Sequence, residues 1–445
     1  MCATTLSRRK QKEAIGLLSV GSFLESFDLF LHVHMAVLLN ELFFPKADPH
    51  TVALQRAFSY CATFVLRPFG ALLFGYLGDS IGRKATIVIT TLVMAVTCLL
   101  MAMLPTYAQI GIMASWIAIV CRILQGLSAL GERVGAELYL TELTKPPLQY
   151  TIVGLIFCAI DMGGVAAIGV SALVTSYGFN WQFSFLIGAV VALVGATART
   201  KLKESPEFVD AKRKMKIDIQ EGVKSQAELD YIVAHQGTLD KKTSLAYFLA
   251  CCGGPVGFYW VYMYCGHLLQ DTLGCTAHQV LSQNFVVGLV QLVGSLSLSF
   301  LGSKIYPLRI LKFTGVTFCL IVLASPLLLR HVSTPLDLFF FQAIAVLFIP
   351  SGLPAGPIFY KHFPVLKRFT YTSFLFAMSR AVMAIFASFG LVYLVRYFDY
   401  WGLLILIVPV LVGYGWSVMY FEKLECTVRD NPAKPYRRFR STSVD

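Results

Sequence analysis

The chain has 445 residues, of which 56% are hydrophobic and only 14% charged, with a formal net charge of +12. A soluble domain keeps about a quarter of its residues charged and does not run half its length as continuous apolar stretches, so an ordinary soluble enzyme is excluded. The 11 cysteines are scattered, mostly inside apolar stretches (Cys61, Cys98, Cys121, Cys158, Cys319), with no CxxC pair and no metal-spaced Cys/His cluster. They read as small buried hydrophobes, and no metal is expected.

Apolar stretches recur from end to end, each long enough to cross about 30 Å of hydrocarbon as a helix. The alternating segments of about ten residues that mark a membrane barrel are not seen. The spans are expected at 14–42, 53–77, 85–104, 109–130, 150–172 and 182–199, then at 243–269, 279–301, 308–329, 336–354, 371–395 and 401–421. The fold class is therefore all-α integral membrane: twelve transmembrane helices, with six-helix bundles at 1–198 and 243–421. A charged linker, 199–242, joins them and a basic tail, 422–445, follows. Six plus six spans around one long loop point to two pseudo-symmetric halves with a central cavity.

Charge supplies the orientation. Most of the 37 Lys and Arg fall in the N-terminus, in the loops after even-numbered spans and in the tail, whereas the opposite loops hold Lys46, Arg330 and Arg396. This is the positive-inside pattern and predicts both termini in the cytoplasm. The basicity is thus topological, and no nucleic-acid partner is expected. The basic start (Arg8, Arg9, Lys10, Lys12) leads into a long apolar helix without a small-residue cleavage site, which reads as an uncleaved first span. The tail has no heptads, and attraction to anionic lipid of the bilayer is its simplest role.

In span one, Glu25, Asp28 and His32 lie at i, i+3 and i+7, on one helical face. Ionisable groups inside a membrane are costly and usually face a cavity, so the trio is read as proton- or substrate-handling, against a fixed structural pair of Asp28 with an arginine. After span two comes Gly75-Tyr-Leu-Gly-Asp79-Ser-Ile-Gly82-Arg83-Lys84, a tight polar loop. Its glycines allow reversal and close helix approach. Asp79 can meet a helix N-terminus or an arginine, and Arg83 an acid or carbonyls.

Span four carries Arg122, Gln125, Glu132 and Arg133. Arg122 and Gln125 share a face, and Arg122 suits a substrate carboxylate. Glu132 is read as a proton carrier or as a neutraliser of Arg122 or Arg67, and Arg133 as snorkelling to the interface. Asp161 in span five is either a specificity or coupling residue, or one half of a pair with Arg133 or Arg122. Arg380 stands deep in span eleven and needs an anion, either Asp28 or a substrate carboxylate. The aromatic run Phe258-Tyr-Trp260-Val-Tyr262-Met-Tyr264 is either helix packing and interfacial belt, or a cavity lining for a cation. Pro350, Pro354 and Pro357 predict a kinked or broken span ten. Pairing of Cys265 with Cys275 is left open.

The G-x-L-x-D-x-x-G-R-K loop resembles the signature loop of the major facilitator superfamily. Gly21-Ser-Phe-Leu-Glu25-Ser-Phe-Asp28-Leu-Phe is similar to a first-span segment of its metabolite:proton symporters. So are Phe43-Phe-Pro-Lys-Ala-Asp-Pro49, Leu66-Arg67-Pro68-Phe-Gly-Ala71, Arg122-Ile-Leu-Gln125-Gly126, Gly131-Glu132, Glu204-Ser-Pro-Glu-Phe208 and Phe363-Pro364 with Arg368-Phe-Thr370. The likeness is dense over 14–210 and loose afterwards. Gly302-Ser-Lys304-Ile-Tyr-Pro-Leu-Arg309, where many facilitators repeat the signature, lacks its Asp.

The resemblance implies a monomeric symporter of a bacterial inner membrane, moving protons with a small organic acid, proline or a betaine-like metabolite. Relatives of that family take up proline and betaines, shikimate, citrate and 2-oxoglutarate. With the reading of span one it makes Glu25, Asp28, His32 and Glu132 proton-coupling candidates, His32 standing where the family usually has an aromatic. Arg67, Arg122, Gln125, Asp161 and Arg380 become substrate-binding candidates, and Gly75, Asp79, Gly82, Arg83 and Lys84 the conformational gate. No phosphate loop, HExxH or G-x-S-x-G motif occurs, so neither ATP coupling, a cofactor nor catalysis is expected. The alternatives are an uncoupled facilitator and a membrane sensor that keeps the transporter fold; the degenerate second loop mildly favours the latter.

Overall fold

A computed structural model describes residues 8–43, 64–177, 180–200, 202, 204–205, 208–210, 212–213, 240–390, 394 and 397–430. Their regular elements are all helices, with no strand among them. In the first half the helices are α1 (Arg8–Phe43), α2 (Arg67–Ser80), α3 (Arg83–Met103), α4 (Ile112–Leu143), α5 (Leu148–Tyr177) and α6 (Gln182–Arg199). In the second, α7 is a continuous rod of Lys241–Phe258, a π-helical stretch Tyr259–Tyr264, and Cys265–Asp271. Then come α8 (Ala277–Leu301), α9 (Pro307–Arg330), α10 (Pro335–Leu347), α11 (Arg368–Ile385) and α12 (Gly402–Asp430). Eight described helices are long and apolar enough to cross a membrane, and two shorter apolar segments, Gln182–Thr197 and Pro335–Leu347, join them. The first part of span two, most of the linker and the end of the tail lie outside the described residues.

Local chemistry starts and stops these rods. Thr334 and Thr276 each form reciprocal capping boxes, with Asp337 and Gln279, at the starts of α10 and α8. Asp240 accepts from the Lys242 N–H at the start of α7 and also from the Tyr420 hydroxyl, tying that start to α12. Pro255 inside α7 cannot donate to the preceding turn, and the helix widens to π geometry just beyond it. Span ten breaks after Leu347, and a short helix, Gly356–Lys361, resumes beyond the prolines.

Three expectations are corrected. The fourth helix runs to Leu143 rather than ending near 130, because Arg133, Glu137, Thr141 and Glu142 are all buried against protein instead of facing water. Arg133 therefore does not snorkel. The last helix runs to Asp430, past the expected tail boundary at 422. Its polar extension is held by Glu422 on Lys312 and by Glu425 on His362 Nε2 at 2.8 Å. Cys265 and Cys275 are free thiols, Cys265 fully buried.

Within the first half α1 packs on α5, α4 and α6, and α3 packs on α4 and α6; in the second, α7 packs on α12 and α11, and α9 on α12. The halves meet along two seams, α5 with α8 and α2 with α11. Lipid tails are as apolar as leucine, so close backbone approach drives such packing. Gly163 of α5 supplies it, for a Cβ there would stand 2.2 Å from the Phe23 carbonyl oxygen of α1. Large apolar side chains such as Phe69, Leu100, Trp116, Val194, Phe313 and Leu320 remain exposed on the outside, the face that hydrocarbon would cover. Buried Arg199 ends α6 by donating to the Leu17 and Leu18 carbonyls of α1, each at 2.9 Å.

Candidate functional site

A cavity of about 190 Å³ lies where the halves meet, lined from α1, α4, α5, α7, α8, α11 and the broken span ten. Its charged lining residues are Glu25, Arg133, Glu137, Asp161 and Arg380. Glu25, 2% exposed, accepts from Arg67 Nη1 at 3.0 Å. Arg133 Nε stands 3.6 Å from Glu137 Oε1, and its guanidinium lies over Phe157 and Phe376, 5.5 and 5.1 Å from the ring centres. The other Glu137 oxygen accepts from the Tyr360 hydroxyl, which bonds the two halves across the cavity floor. Asp161 of α5 accepts from Gln291 Nε2 at 2.8 Å and from the Ser295 hydroxyl, both on α8; Gln291 in turn accepts from Tyr262. The Arg380 guanidinium stacks 4.4 Å from the Phe376 ring centre, and its Nε has no hydrogen-bond partner.

A second charged cluster lies one turn farther along α1, inside the first half. Asp28 Oδ2 accepts from Arg122 Nη1 at 3.2 Å, and its Oδ1 lies 3.6 Å from His32 Nδ1 and 3.8 Å from Cys98 Sγ. Arg122 also donates to Gln125 Oε1 at 3.1 Å. His32 Nδ1 approaches the Asp28 carbonyl at 3.1 Å and packs edge-on to Phe185. Asp28, His32, Arg122 and Gln125 are not among the cavity-lining residues. Arg122 thus meets Asp28, and Arg380 does not.

At one end of the bundle the halves are latched. Asp79, at the end of α2, accepts from the Thr370 N–H (2.8 Å), the Thr370 hydroxyl (2.7 Å) and the Phe369 N–H (3.2 Å), all in the first turn of α11. Those amides have no partner within their own helix, and the positive end of the helix dipole faces the carboxylate. Fully buried Arg83 clamps the same place, donating to Asp79 and Gly78 on its own side and to the Val365 carbonyl across the seam at 2.8 Å. Glu142 accepts from Arg83, Arg368 and the Ser205 hydroxyl, while Glu204 accepts from the backbone N–H groups of Arg83 and Lys84. The glycines are dictated by this contact. A Cβ on Gly75 would meet Thr370 Cα at 2.7 Å, one on Gly78 would enter the Phe369 ring, and Gly82 has φ +121°.

A paired charged cavity between two latched six-helix halves matches a known pattern. The sugar (and other) transporter family matches residues 16–363. The chain belongs to that family, within the major facilitator superfamily. This facilitator is 35% identical over 212 residues to the inner membrane metabolite transport protein YhjE of Escherichia coli K12, a match covering 45% of this chain and 48% of YhjE. It is 28% identical over 239 residues to the proline/betaine transporter of Salmonella typhimurium, covering 51% and 47%. The chain spans about half the length of these curated relatives. Among solved structures, the proton:xylose symporter XylE bound to 6-bromo-6-deoxy-D-glucose superposes with a TM-score of 0.75 at 16% identity, over 93% of this chain and 96% of that one. The inward-open form of XylE gives a TM-score of 0.60 at 14% identity.

Of the sequence candidates, the facilitator's cavity gathers Glu25, Asp161 and Arg380, with Arg67 behind Glu25. The second cluster gathers Asp28, His32, Arg122 and Gln125. The side chain of Glu132 lies outside the described residues. The lining run Phe258–Tyr264 divides: Phe258 faces the cavity, whereas Trp260 is fully buried between Phe318 and Phe341. Glu137, Tyr360, Gln291 and Ser295 were not foreseen. The signal for Glu137 was its i+4 spacing from Arg133, hidden by a span ended too early.

Proposed function

We propose that this facilitator is a proton-coupled secondary transporter that carries a small organic acid or zwitterionic metabolite across a bacterial inner membrane by alternating access. The observation that carries the reading is the charged cavity between two halves that a hydrogen-bonded latch joins at the Asp79 end. At about 190 Å³ it is smaller than the roughly 300–1,000 Å³ clefts that hold drug-sized ligands, which suits a small metabolite. The names of the relatives, metabolite and proline/betaine transporters, agree with that class. The latch end is also the end of the basic loops, so the positive-inside rule makes it, and both termini, cytoplasmic. The protein works as a monomer, its site being complete within one chain.

Coupling follows from the buried pairs. Glu25 neutralises Arg67 and Asp28 neutralises Arg122, each in apolar surroundings. A proton taken by either carboxylate removes its partner's compensation, and an unpaired buried charge costs several kcal/mol. The freed arginine then needs another anion or water, which favours rearrangement of the halves. His32, with Nε2 unbonded, and Glu132 stand next in line as carriers. Asp161 and Arg380 face the substrate, and Asp79 with Arg83 holds the inward gate.

Purified protein in liposomes, given labelled organic acids, proline and betaine with and without an inward proton gradient, tests this. Wild type should concentrate one compound only with the gradient. Glu25→Gln and Asp28→Asn should each abolish concentrative uptake while leaving the protein folded. Undiminished accumulation by both variants would sink the coupling assignment.

A further inference from the structure

Coupling is most direct through an acid whose proton state changes a bond between the halves. The hydrogen bonds of Glu25 and Asp28, to Arg67 and Arg122, stay within the first half. Glu137 bonds across. Only 3% exposed on α4, it lines the cavity and accepts from the Tyr360 hydroxyl on the second half's short helix, Gly356–Lys361. It stands five residues before Glu142, which puts it between the cavity and the latch. Tyr360 occupies one of its oxygens, Oε2. The other, Oε1, is buried without a hydrogen-bond partner, for Arg133 Nε stays 3.6 Å away, beyond hydrogen-bond reach. Asp161 also bonds across the halves, but Gln291 and Ser295 occupy both of its oxygens.

We propose that Glu137 is a further proton site of the transport cycle and that its proton loosens the tie to Tyr360; this rests on the transport reading and names an acid that links proton to movement. The proton arrives from water through the cavity and bonds to Oε1, and it returns to water on the other side. The Tyr360 O–H stays whole throughout. Its acceptor has then become a neutral carboxyl, and a hydrogen bond to a charged acceptor is roughly twice as strong as one to a neutral acceptor. The charge balance moves the same way. Glu25, Glu137 and Asp161 are matched by Arg67, Arg133 and Arg380, with Arg133 acting also on Asp161 and Arg380 on both glutamates. A proton on Glu137 leaves that set one positive charge in excess, which an anionic group of the substrate offsets. The remaining titratable groups around Glu137 are Tyr247 and Cys251 of α7, a phenol and a thiol, types that ordinarily titrate far above a carboxyl.

The test uses the purified full-length protein with no substrate added, spin-labelled at Ile81 and Lys304 to read the latch, and two variants. Glu137→Gln keeps an acceptor for Tyr360 but removes the charge, so at neutral pH it should favour the open latch about fivefold over wild type. Tyr360→Phe removes the donor and keeps the acid. It should open the latch at least as far, and it carries the test if the first variant fails to fold. Infrared difference spectra on acidification should show a protonated-carboxyl band in wild type and Tyr360→Phe that Glu137→Gln lacks. In liposomes, Glu137→Gln should exchange labelled organic acids, proline or betaine at a rate independent of pH and concentrate none under a proton gradient. Wild-type distances in either folded variant, or a wild-type band in Glu137→Gln, would each overturn the inference. Gradient-driven accumulation by Glu137→Gln would overturn it while leaving the transport reading intact. The missing band and the open latch, with no uptake by wild type under any gradient, would do the reverse.

Discussion

Asp79 shows how one carboxylate can join two halves of a helical bundle. Its three bonds reach the first turn of a helix in the other half, and Arg83 beside it aims the carboxylate. Removing a charged cap of this kind costs about 1–2 kcal/mol, so Asp79→Ala should shift the balance of the halves roughly tenfold away from the closed end. Spin labels at the exposed Ile81 and Lys304, one in each half, should then report a longer mean distance by pulsed electron resonance. An unchanged distance distribution would show that the latch carries no net weight. Asp79 and Arg83 were legible because their chemistry is local: a tight loop, a carboxylate and glycines at fixed spacing. Arg133 and Glu137 were not. They lie where the hydropathy of α4 fades, and only the tertiary wall of Phe157, Phe376 and Tyr360 makes that stretch an interior. Asp28 was legible as an acid that either handles protons or pairs with an arginine, and the arginine it meets is Arg122, which the sequence also offered to a substrate, since a one-dimensional pattern cannot say which of two carboxylates an arginine will meet.

Elements were read well where apolar length decides and poorly where polar pairing extends or interrupts it. The α6 helix begins at Gln182 and ends at Arg199 as the apolar run dictates. The α12 helix instead overruns its apolar segment, because Glu422 finds Lys312 and Glu425 finds His362 on neighbouring elements. Span ten was expected to break and does, and the break puts Gly352, Leu353 and Gly356 into the cavity wall, where irregular backbone is tolerated beside protein. Seams between helices depend on glycine. Gly163→Ala should lower stability by about 1–3 kcal/mol, seen as an earlier thermal unfolding in detergent, because its Cβ would collide with backbone rather than with a side chain that can turn away. The same exchange at Gly415, with open space around it, should be neutral or stabilise by about 0.5–1 kcal/mol through helix propensity. Equal melting of the two variants would remove close approach as the reason for Gly163.

Under the proposed alternating access the whole molecule works through the relation of its halves, and the α5–α8 seam offers a handle on it. Cys158 Sγ lies 3.6 Å from Ser299 Oγ across that seam. Ser299→Cys should place two thiols within linking distance, so oxidation should bind the halves and stop uptake, and reductant should restore it. Persistent uptake by the fully linked protein would mean that this seam need not open. The two-half architecture was legible from six spans, a charged linker and six more. The inequality of the halves was legible only as a missing Asp in Gly302–Arg309, whose consequence needed coordinates. At the Asp79 end the first half brings a carboxylate to the partner helix, while just beyond the second half's corresponding segment Lys312 turns to α12 of its own half. Symmetric fasteners would share the load, and loss of either would be partly covered by the other. Here the carboxylates that cross the Asp79 end, Asp79 and Glu142, both come from the first half, which makes closure depend on the acids of one half. Damage on that side therefore has no counterpart carboxylate in the second half to cover it among the described contacts, and a ligand or modification that reached the α2–α3 loop would act on the fastening from the side that supplies it.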